Sequence, residues 1–177
     1  MSSCQKQTTT LFDKYIYDNK TTQLPYNLHK PNIEQGKEYP LILYFHGAGE
    51  RGSDNEINLK NGIQNFVNEH NLKHNPCFIL VPQCNKQYRW VETDWNALSH
   101  SLPTEMSIPM SATMELLFQI IETYPIDVNR IYVTGLSMGG YASWDIITRY
   151  PNLFAAAMPI CGGGDETKAK NISHIPI

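Results

Sequence analysis

The chain has 177 residues, about the length of one domain. Its composition, 41% hydrophobic and 18% charged with 11 Gly and 11 Pro, excludes collagen-like, low-complexity and strongly disordered classes. A formal net charge of -3 gives no electrostatic basis for binding nucleic acid or an anionic membrane. The longest apolar stretches are far shorter than the ~20 residues of a membrane-spanning helix. The composition predicts a soluble globular domain.

The four cysteines are too few for a disulfide scaffold, and no His or Cys spacing is typical of a zinc site. Cys77, Cys84 and Cys161 lie in or beside apolar runs and are predicted to pack as small hydrophobic residues. Cys4 differs, because the start MSSCQK resembles the remnant of a bacterial lipoprotein signal, although no apolar signal core precedes it. Two locations stay open: the periplasm with a lipid on Cys4, and the cytoplasm with residues 1–10 as a disordered terminus.

The first part of the chain predicts a hairpin followed by a buried strand. Residues 14–17 and 24–28 alternate in polarity around a polar turn, which is typical of an antiparallel hairpin. Residues 41–45, LILYF, are apolar without alternation, as in a central strand covered on both faces. A glycine-rich loop over 46–52 follows, and the apolar spacing of residues 59–70 predicts a helix.

The second part alternates strands with helices. Strands are predicted over 77–81, 131–134 and 155–160, and helices over 110–124 and 139–149. Residues 83–103 are polar and aromatic and too long for an ordinary connector, which predicts a functional loop. Residues 175–177 resemble the start of a further strand. This alternation predicts an α/β fold with a mostly parallel sheet and helices on both faces.

The strongest chemical signal is the motif Gly-x-Ser-x-Gly at Gly135, Ser137 and Gly139. It lies between a predicted strand and a predicted helix, the context in which this motif forms a sharp turn. The serine then adopts a strained backbone that projects its hydroxyl above the sheet, and side chains at the two glycines would crowd the turn. The helix N-terminus also favours developing negative charge. We predict Ser137 as a nucleophile; the alternative is a glycine- and serine-rich turn without chemistry.

A second turn, His46-Gly47-Ala48-Gly49, follows the strand over 41–45. With Gly52 it matches the dinucleotide fingerprint Gly-x-Gly-x-x-Gly. However, polar residues 53–56 prolong the loop where a helix should begin, and the acidic residue expected ~20 positions later is missing. The favoured interpretation is an oxyanion loop, in which the amides of Ala48 and Met138 together bind a tetrahedral oxyanion. No cofactor and no metal are predicted.

These motifs resemble those of α/β-hydrolases, and more narrowly of bacterial phospholipase/carboxylesterase-type and feruloyl-esterase-like enzymes. The stretches that carry the resemblance are 39–52, 81–84, 127–140 and 151–164. It implies a three-layer sandwich and a serine esterase, with Ser137 as nucleophile and Ala48 and Met138 as oxyanion donors. His46 then braces the oxyanion loop and is not the base. The implied partner is a small-molecule ester, with aromatic and carbohydrate-linked esters as candidates.

The sequence departs from this family where the catalytic base is expected. The triad of this fold runs Ser, Asp or Glu, then His along the chain, and only His174 follows Ser137. Its position just before residues 175–177 places it at the entry edge of a strand, roughly 20 Å from the edge that carries Ser137. His46 is assigned to the oxyanion loop, and the remaining histidines lie in segments with no reason to approach Ser137: His29, His70, His74 and His100.

Asp165 follows a predicted strand at the catalytic edge and is a candidate for the triad acid; a helix cap is the alternative. Residues 11–177 are therefore interpreted as a partial α/β-hydrolase domain that lacks the last strands and helices. According to this interpretation, the triad acid and base are missing from the chain. We expect the chain alone to be weakly active or inactive.

Glu50, Trp90 and Trp95 are candidates for an acyl or aromatic pocket at the carboxyl edge of the sheet. The alternative is a polar rim in which Trp90 anchors the packing. Three functional classes stay open: a serine carboxylesterase, an incompetent remnant that binds a ligand or partner, and a serine peptidase. An exposed sheet edge further predicts that copies of the chain associate.

Overall fold

The structure is a computed structural model and describes residues 11–177. One six-stranded sheet has the order β1-β2-β4-β3-β5-β6. The strands are β1 (Asp13–Asp18), β2 (Gln23–His29), β3 (Tyr39–Phe45), β4 (Phe78–Pro82), β5 (Ile126–Leu136) and β6 (Ala156–Ile160). The helices are α1 (Glu69–His74), α2 (Ile108–Thr123) and α3 (Met138–Arg149). Short 3-10 segments are Ala48–Glu50, Ile57–Leu59, Ile63–Asn65 and Glu166–Ile172.

The sheet combines an antiparallel hairpin with a parallel half. β1 pairs antiparallel with β2, and β2 pairs antiparallel with β4. β3 runs parallel to both β4 and β5, and β5 runs parallel to β6. The predicted α/β class and leading hairpin are confirmed. Parallel pairing brings the carboxyl ends of β3, β5 and β6 to one edge, where ligands bind in such sheets.

The sheet is covered on both faces by apolar side chains. Alternate residues of β3 point to opposite sides: Leu41, Leu43 and Phe45 join the larger core with α2 and α3. Tyr44 joins a smaller cluster on the other face, where the 3-10 segments supply Leu59 and Ile63. A strand with only one covered face would alternate apolar and polar residues. Because β3 is covered on both faces, all of residues 41–45, LILYF, are apolar.

The predicted helix over 59–70 is wrong. Two 3-10 segments occupy its first part, and α1 begins only at Glu69. Gly62 interrupts the segment with a φ of 81°, a value that ends regular right-handed winding. A Cβ at position 62 would overlap the hydroxyl of Tyr44, which donates a 2.6 Å hydrogen bond to the Asn61 carbonyl. The apolar side chains are buried as predicted, but this contact with β3 replaces the helical turn.

The cysteine prediction holds for two of the three described thiols. Cys84 is buried and Cys77 is partly buried, and burial raises the pKa of Cys77 to about 11 and of Cys84 to about 12. Cys161 is exposed, with a φ of 54°, so the prediction that it packs as a hydrophobic residue is wrong. It directly follows the last residue of β6, in a bend of the chain. The interpretation of Cys4 and of residues 1–10 lies outside the described residues.

The last residues of the described segment do not form the predicted strand. The amide of Ala157 in β6 donates a 2.9 Å hydrogen bond to the Pro176 carbonyl, but residues 175–177 carry no regular ladder. Within residues 11–177, no helix is both long and apolar enough to span a membrane.

Candidate active site

Ser137 occupies the turn between β5 and α3, at the carboxyl edge of the sheet. Its backbone has a φ of 56° and a ψ of -113°, a combination that non-glycine residues rarely adopt. The residue is exposed, and its side chain does not cap the helix that it begins. Its amide donates a 2.7 Å hydrogen bond to the Ile160 carbonyl of β6, which holds the strained turn in place. The predicted strand-turn-helix position and unfavourable backbone are confirmed.

The glycines of the motif are required by close backbone contacts. A Cβ at position 139 would overlap the carbonyl oxygen of Phe45, at the end of β3. A Cβ at position 135 would overlap the Gly139 carbonyl oxygen and lie 2.8 Å from that of Phe45. The start of α3 is therefore pressed against the end of β3. This contact brings the loop that follows β3 alongside Ser137.

The predicted oxyanion loop lies next to the serine. β3 and β5 end in register, with Phe45 opposite Gly135. A Cβ at Gly47 would lie 3.9 Å from the Ser137 Cβ and 3.3 Å from the Leu136 carbonyl oxygen. Ala48 begins a 3-10 segment at this point, and Met138 begins α3, so each amide is at a position where a helix leaves its N–H groups unpaired. Within residues 11–177, neither of these two amides donates to another protein group.

His46 is buried and connects this loop to the segment after β4 through hydrogen bonds of its ring. Its Nε2 accepts a 3.0 Å hydrogen bond from the Cys84 amide, so the ring proton is on Nδ1, which lies 2.7 Å from the Gly47 carbonyl oxygen and donates to it. Burial lowers the pKa of His46 to about 4, which keeps the ring neutral in this arrangement. Because a peptide group is planar, holding the Gly47 carbonyl also orients the amide of Ala48.

None of the six histidines, all within residues 11–177, hydrogen-bonds to Ser137. His174 contacts the Pro151 carbonyl at 2.8 Å, before the start of β6 and thus at the edge opposite Ser137, as predicted. His100 packs edge-on against the ring of Tyr141 in α3, and its ring nitrogens lie 3.4 Å from the hydroxyls of Thr93 and Tyr141.

Asp165 acts as a helix cap in the structure. One carboxylate oxygen accepts hydrogen bonds from the amide and hydroxyl of Thr167, and the other accepts a 2.9 Å bond from the Leu102 amide. The Leu102 amide is the main reason that the pKa of this carboxyl is lowered. No histidine of the described residues hydrogen-bonds to Asp165. The geometry matches the cap alternative rather than a triad acid.

The predicted pocket residues serve mainly to hold the loops. Trp90 is fully buried, and its indole nitrogen donates to the His46 carbonyl at 3.1 Å, so it is a packing anchor and not a pocket wall. Glu50 is also buried, and its carboxylate accepts a 2.5 Å hydrogen bond from Asn61. Trp95 is partly buried beneath the Arg89 guanidinium, 4.3 Å from the ring centre. Hydrogen bonds or ring contacts within the loops thus occupy all three side chains.

The sequence analysis missed how the long loop after β4 is attached to α3. Arg149 donates a 2.7 Å hydrogen bond to Asp145 and further bonds to the carbonyls of Pro103 and Thr104. Burial raises the pKa of Asp145, and the Arg149 charge opposes that rise. The signal was available, because an acidic and a basic residue four positions apart on a helix form a pair. Among residues 11–177 no cluster of three or more acidic, His or Cys side chains could hold a metal.

Comparisons with known proteins place this geometry in a family. A family model described as "Putative esterase" matches residues 20–163. A thermostable esterase of known crystal structure is 37% identical, with a TM-score of 0.87 over 97% of this chain and 46% of that chain. Acetyl xylan esterase from Aspergillus awamori shares the fold at 18% identity, with a TM-score of 0.58 over 82% of this chain and 50% of that chain.

Poly(3-hydroxyalkanoate) depolymerase C from Paucimonas lemoignei is 27% identical over 130 residues. That match covers 70% of this chain and 28% of the depolymerase. The chain therefore spans less than half of the thermostable esterase and less than a third of the depolymerase. The family model's match, residues 20–163, includes both the loop that follows β3 and the serine turn. The chain belongs to this esterase family, with an α/β-hydrolase fold.

Proposed function

We propose that this polypeptide is the nucleophile-bearing part of a serine esterase that cleaves carboxylic esters through an acyl-enzyme at Ser137. The observation that carries the proposal is the exposed Ser137 hydroxyl on a strained strand-to-helix turn, beside the unpaired amides of Ala48 and Met138. That combination is costly for folding, because strained backbone and unpaired amides each destabilise the native state. Such a cost is typical of sites that perform chemistry.

In the proposed reaction, the Ser137 oxygen attacks the ester carbonyl carbon as its proton passes to a base. The carbonyl oxygen becomes an oxyanion, which accepts hydrogen bonds from the Ala48 and Met138 amides. Collapse of this intermediate breaks the bond to the alcohol oxygen, which leaves with a proton. Water then attacks the acyl-enzyme, one of its protons passes by way of the base to the Ser137 oxygen, and the carboxylic acid is released.

No histidine of this sequence is proposed as the base. His46 is held neutral by its two loop contacts, and His174 lies at the opposite edge of the sheet. The proposal therefore assigns the triad acid and base to polypeptide other than residues 11–177. An oxyanion hole without its triad retains about 10³-fold catalysis over water, so the chain alone is proposed to be a weak esterase.

The substrate is proposed to be a small carboxylic ester. The family match supports ester chemistry, and the named relatives include an esterase of acetylated xylan and a depolymerase of a polyester. Both cleave an acyl–oxygen bond, which is the chemistry that an oxyanion hole beside a serine serves.

Labelling with a fluorophosphonate tests the proposal, because this reagent phosphonylates a serine whose oxygen is placed against an oxyanion hole. We expect slow labelling that mass spectrometry places on Ser137, and slow hydrolysis of p-nitrophenyl acetate; both are lost in Ser137→Ala. The control is Ser173→Ala, an exposed serine bonded to the Lys170 carbonyl, which should keep both. Absence of label on Ser137 after prolonged exposure would favour the binding remnant, and faster cleavage of an amide than of the matched ester would favour the peptidase.

A further inference from the structure

Gln83 directly follows β4 and lies, fully buried, beneath the loop that carries Ala48. Its side-chain oxygen accepts a 2.7 Å hydrogen bond from the Asn55 amide. Its side-chain nitrogen donates to an Asp54 carboxylate oxygen at 3.0 Å and to the Glu50 carbonyl at 3.3 Å. Both ends of the amide are therefore paired, and all three partners lie within a few residues of one another on that loop.

The partner Glu50 connects this amide to the proposed oxyanion hole. Glu50 ends the 3-10 segment that begins at Ala48, and its amide donates a 3.2 Å bond to the Gly47 carbonyl. A displacement of the Glu50 carbonyl would therefore rotate the short segment that presents the Ala48 amide. Gln83 therefore contacts the Glu50 end of the 3-10 segment Ala48–Glu50, and the other end of that segment follows Gly47, which lies beside Ser137.

Cys84 holds the same loop through its backbone. Its amide donates to His46 at 3.0 Å, and its carbonyl accepts a 2.9 Å bond from the Gly52 amide. A Cβ at Gly52 would lie 3.0 Å from the Gln83 side-chain nitrogen, so the loop is packed directly on this amide. Two consecutive residues after β4 thus hold the loop both before and after Ala48.

We propose that Gln83 is a positioning residue for ester hydrolysis: its amide sets the place of the Ala48 N–H relative to Ser137. The inference rests on the proposed function. Gln suits this position because Asn55 supplies a donor while Asp54 and the Glu50 carbonyl supply acceptors. A glutamate would meet the Asp54 carboxylate with like charge. A methionine of similar length would leave the Asn55 amide and the Glu50 carbonyl unpaired, while Asp54 would keep only its bonds from the Glu56 and Ile57 amides.

The test measures the rate of phosphonylation of Ser137 in Gln83→Met and in the wild type, counted per serine that is finally labelled. Counting per labelled serine removes any effect of a smaller folded fraction. We expect the limiting rate at saturating reagent to fall about 10- to 100-fold, because a misplacement near 1 Å has effects of this size. The half-saturating reagent concentration should stay unchanged, because the loop acts on the transition state rather than on binding.

Thr113→Val is the matched control, since it removes one buried hydrogen bond, to the Pro109 carbonyl, within α2. It should lower the melting temperature and leave the rate per labelled serine unchanged. If Gln83→Met does not fold, Gln83→Asn replaces it, which keeps the amide but retracts it by one methylene. A rate per labelled serine within twofold of wild type overturns the inference while leaving the proposed function intact. Absence of labelling in the wild type itself refutes the proposed function instead.

Discussion

The backbone of Ser137 predicts an unusual pair of mutational effects. Replacing Ser137 by Ala removes the hydroxyl but keeps a Cβ at a φ of 56° and a ψ of -113°. Replacing it by Gly removes the Cβ as well and so relieves the strain of the turn. The two variants differ only in one methyl group at an exposed position. We therefore expect Ser137→Gly to be the more stable of the two.

The size of the difference follows from two opposing contributions. A non-glycine residue in a sparsely populated backbone region costs about 1–3 kcal/mol. Glycine gives back about 0.4–1 kcal/mol, because it increases the conformational entropy of the unfolded chain. The net expectation is that Ser137→Gly exceeds Ser137→Ala by about 1 kcal/mol in the free energy of unfolding, or about 2–4 °C in melting temperature for a chain of this length.

Urea unfolding of both variants, followed by circular dichroism, measures this difference. The matched control is the pair Gln119→Ala and Gln119→Gly, at an exposed position inside α2. There glycine should be less stable than alanine by about 1 kcal/mol, so the sign of the effect reverses between the two sites. If Gly is also less stable than Ala at position 137, the strain of the serine turn is not real and the main support for a nucleophile is lost.

Three further predictions concern the loop, the turn and the sheet edge. Burial lowers the pKa of His46 to about 4 from its ordinary 6.5, so as the pH falls His46 is protonated in the unfolded chain before it is protonated in the folded protein. The free energy of unfolding should therefore fall as pH drops from about 6.5 to 4, and urea titrations of His46→Asn should show a shallower fall. Gly139→Ala should destabilise the folded protein by about 1–3 kcal/mol or more in thermal unfolding, because the new Cβ overlaps the Phe45 carbonyl. Gly49→Ala is the control: its Cβ meets nothing within 4 Å, so the melting temperature should not fall. Half-exposed Met158 on β6 predicts association of copies, which a monomer in sedimentation velocity at high concentration would contradict.

Those features that depend on consecutive residues could be predicted from the sequence alone. The strand, the glycine spacing and the helix around Ser137 are adjacent along the chain, so the turn they form is encoded locally. The buried strands are likewise visible as short apolar runs, because a strand covered on both faces needs apolar side chains at every position. The pattern therefore determined the sheet, the hairpin and the place of the serine.

The tertiary structure decided which polar groups are buried, and what they hold. Glu50 and Trp90 are residue types that can line a pocket, yet both are buried and bonded to the protein, Glu50 to Asn61 and Trp90 to the His46 carbonyl. Gln83 lies in the stretch 81–84 that contributes to the family resemblance, but no neighbouring residue indicated its role, since the groups that its side chain bonds lie 28 to 33 positions earlier in the chain. Residues 59–70 have the apolar spacing of a helix, but the helix is interrupted at Gly62, next to the Asn61 carbonyl that accepts a hydrogen bond from Tyr44 on β3. A periodic pattern reports which side faces the core; the pairing of buried polar groups depends on partners distant in sequence, and only folding brings those partners together.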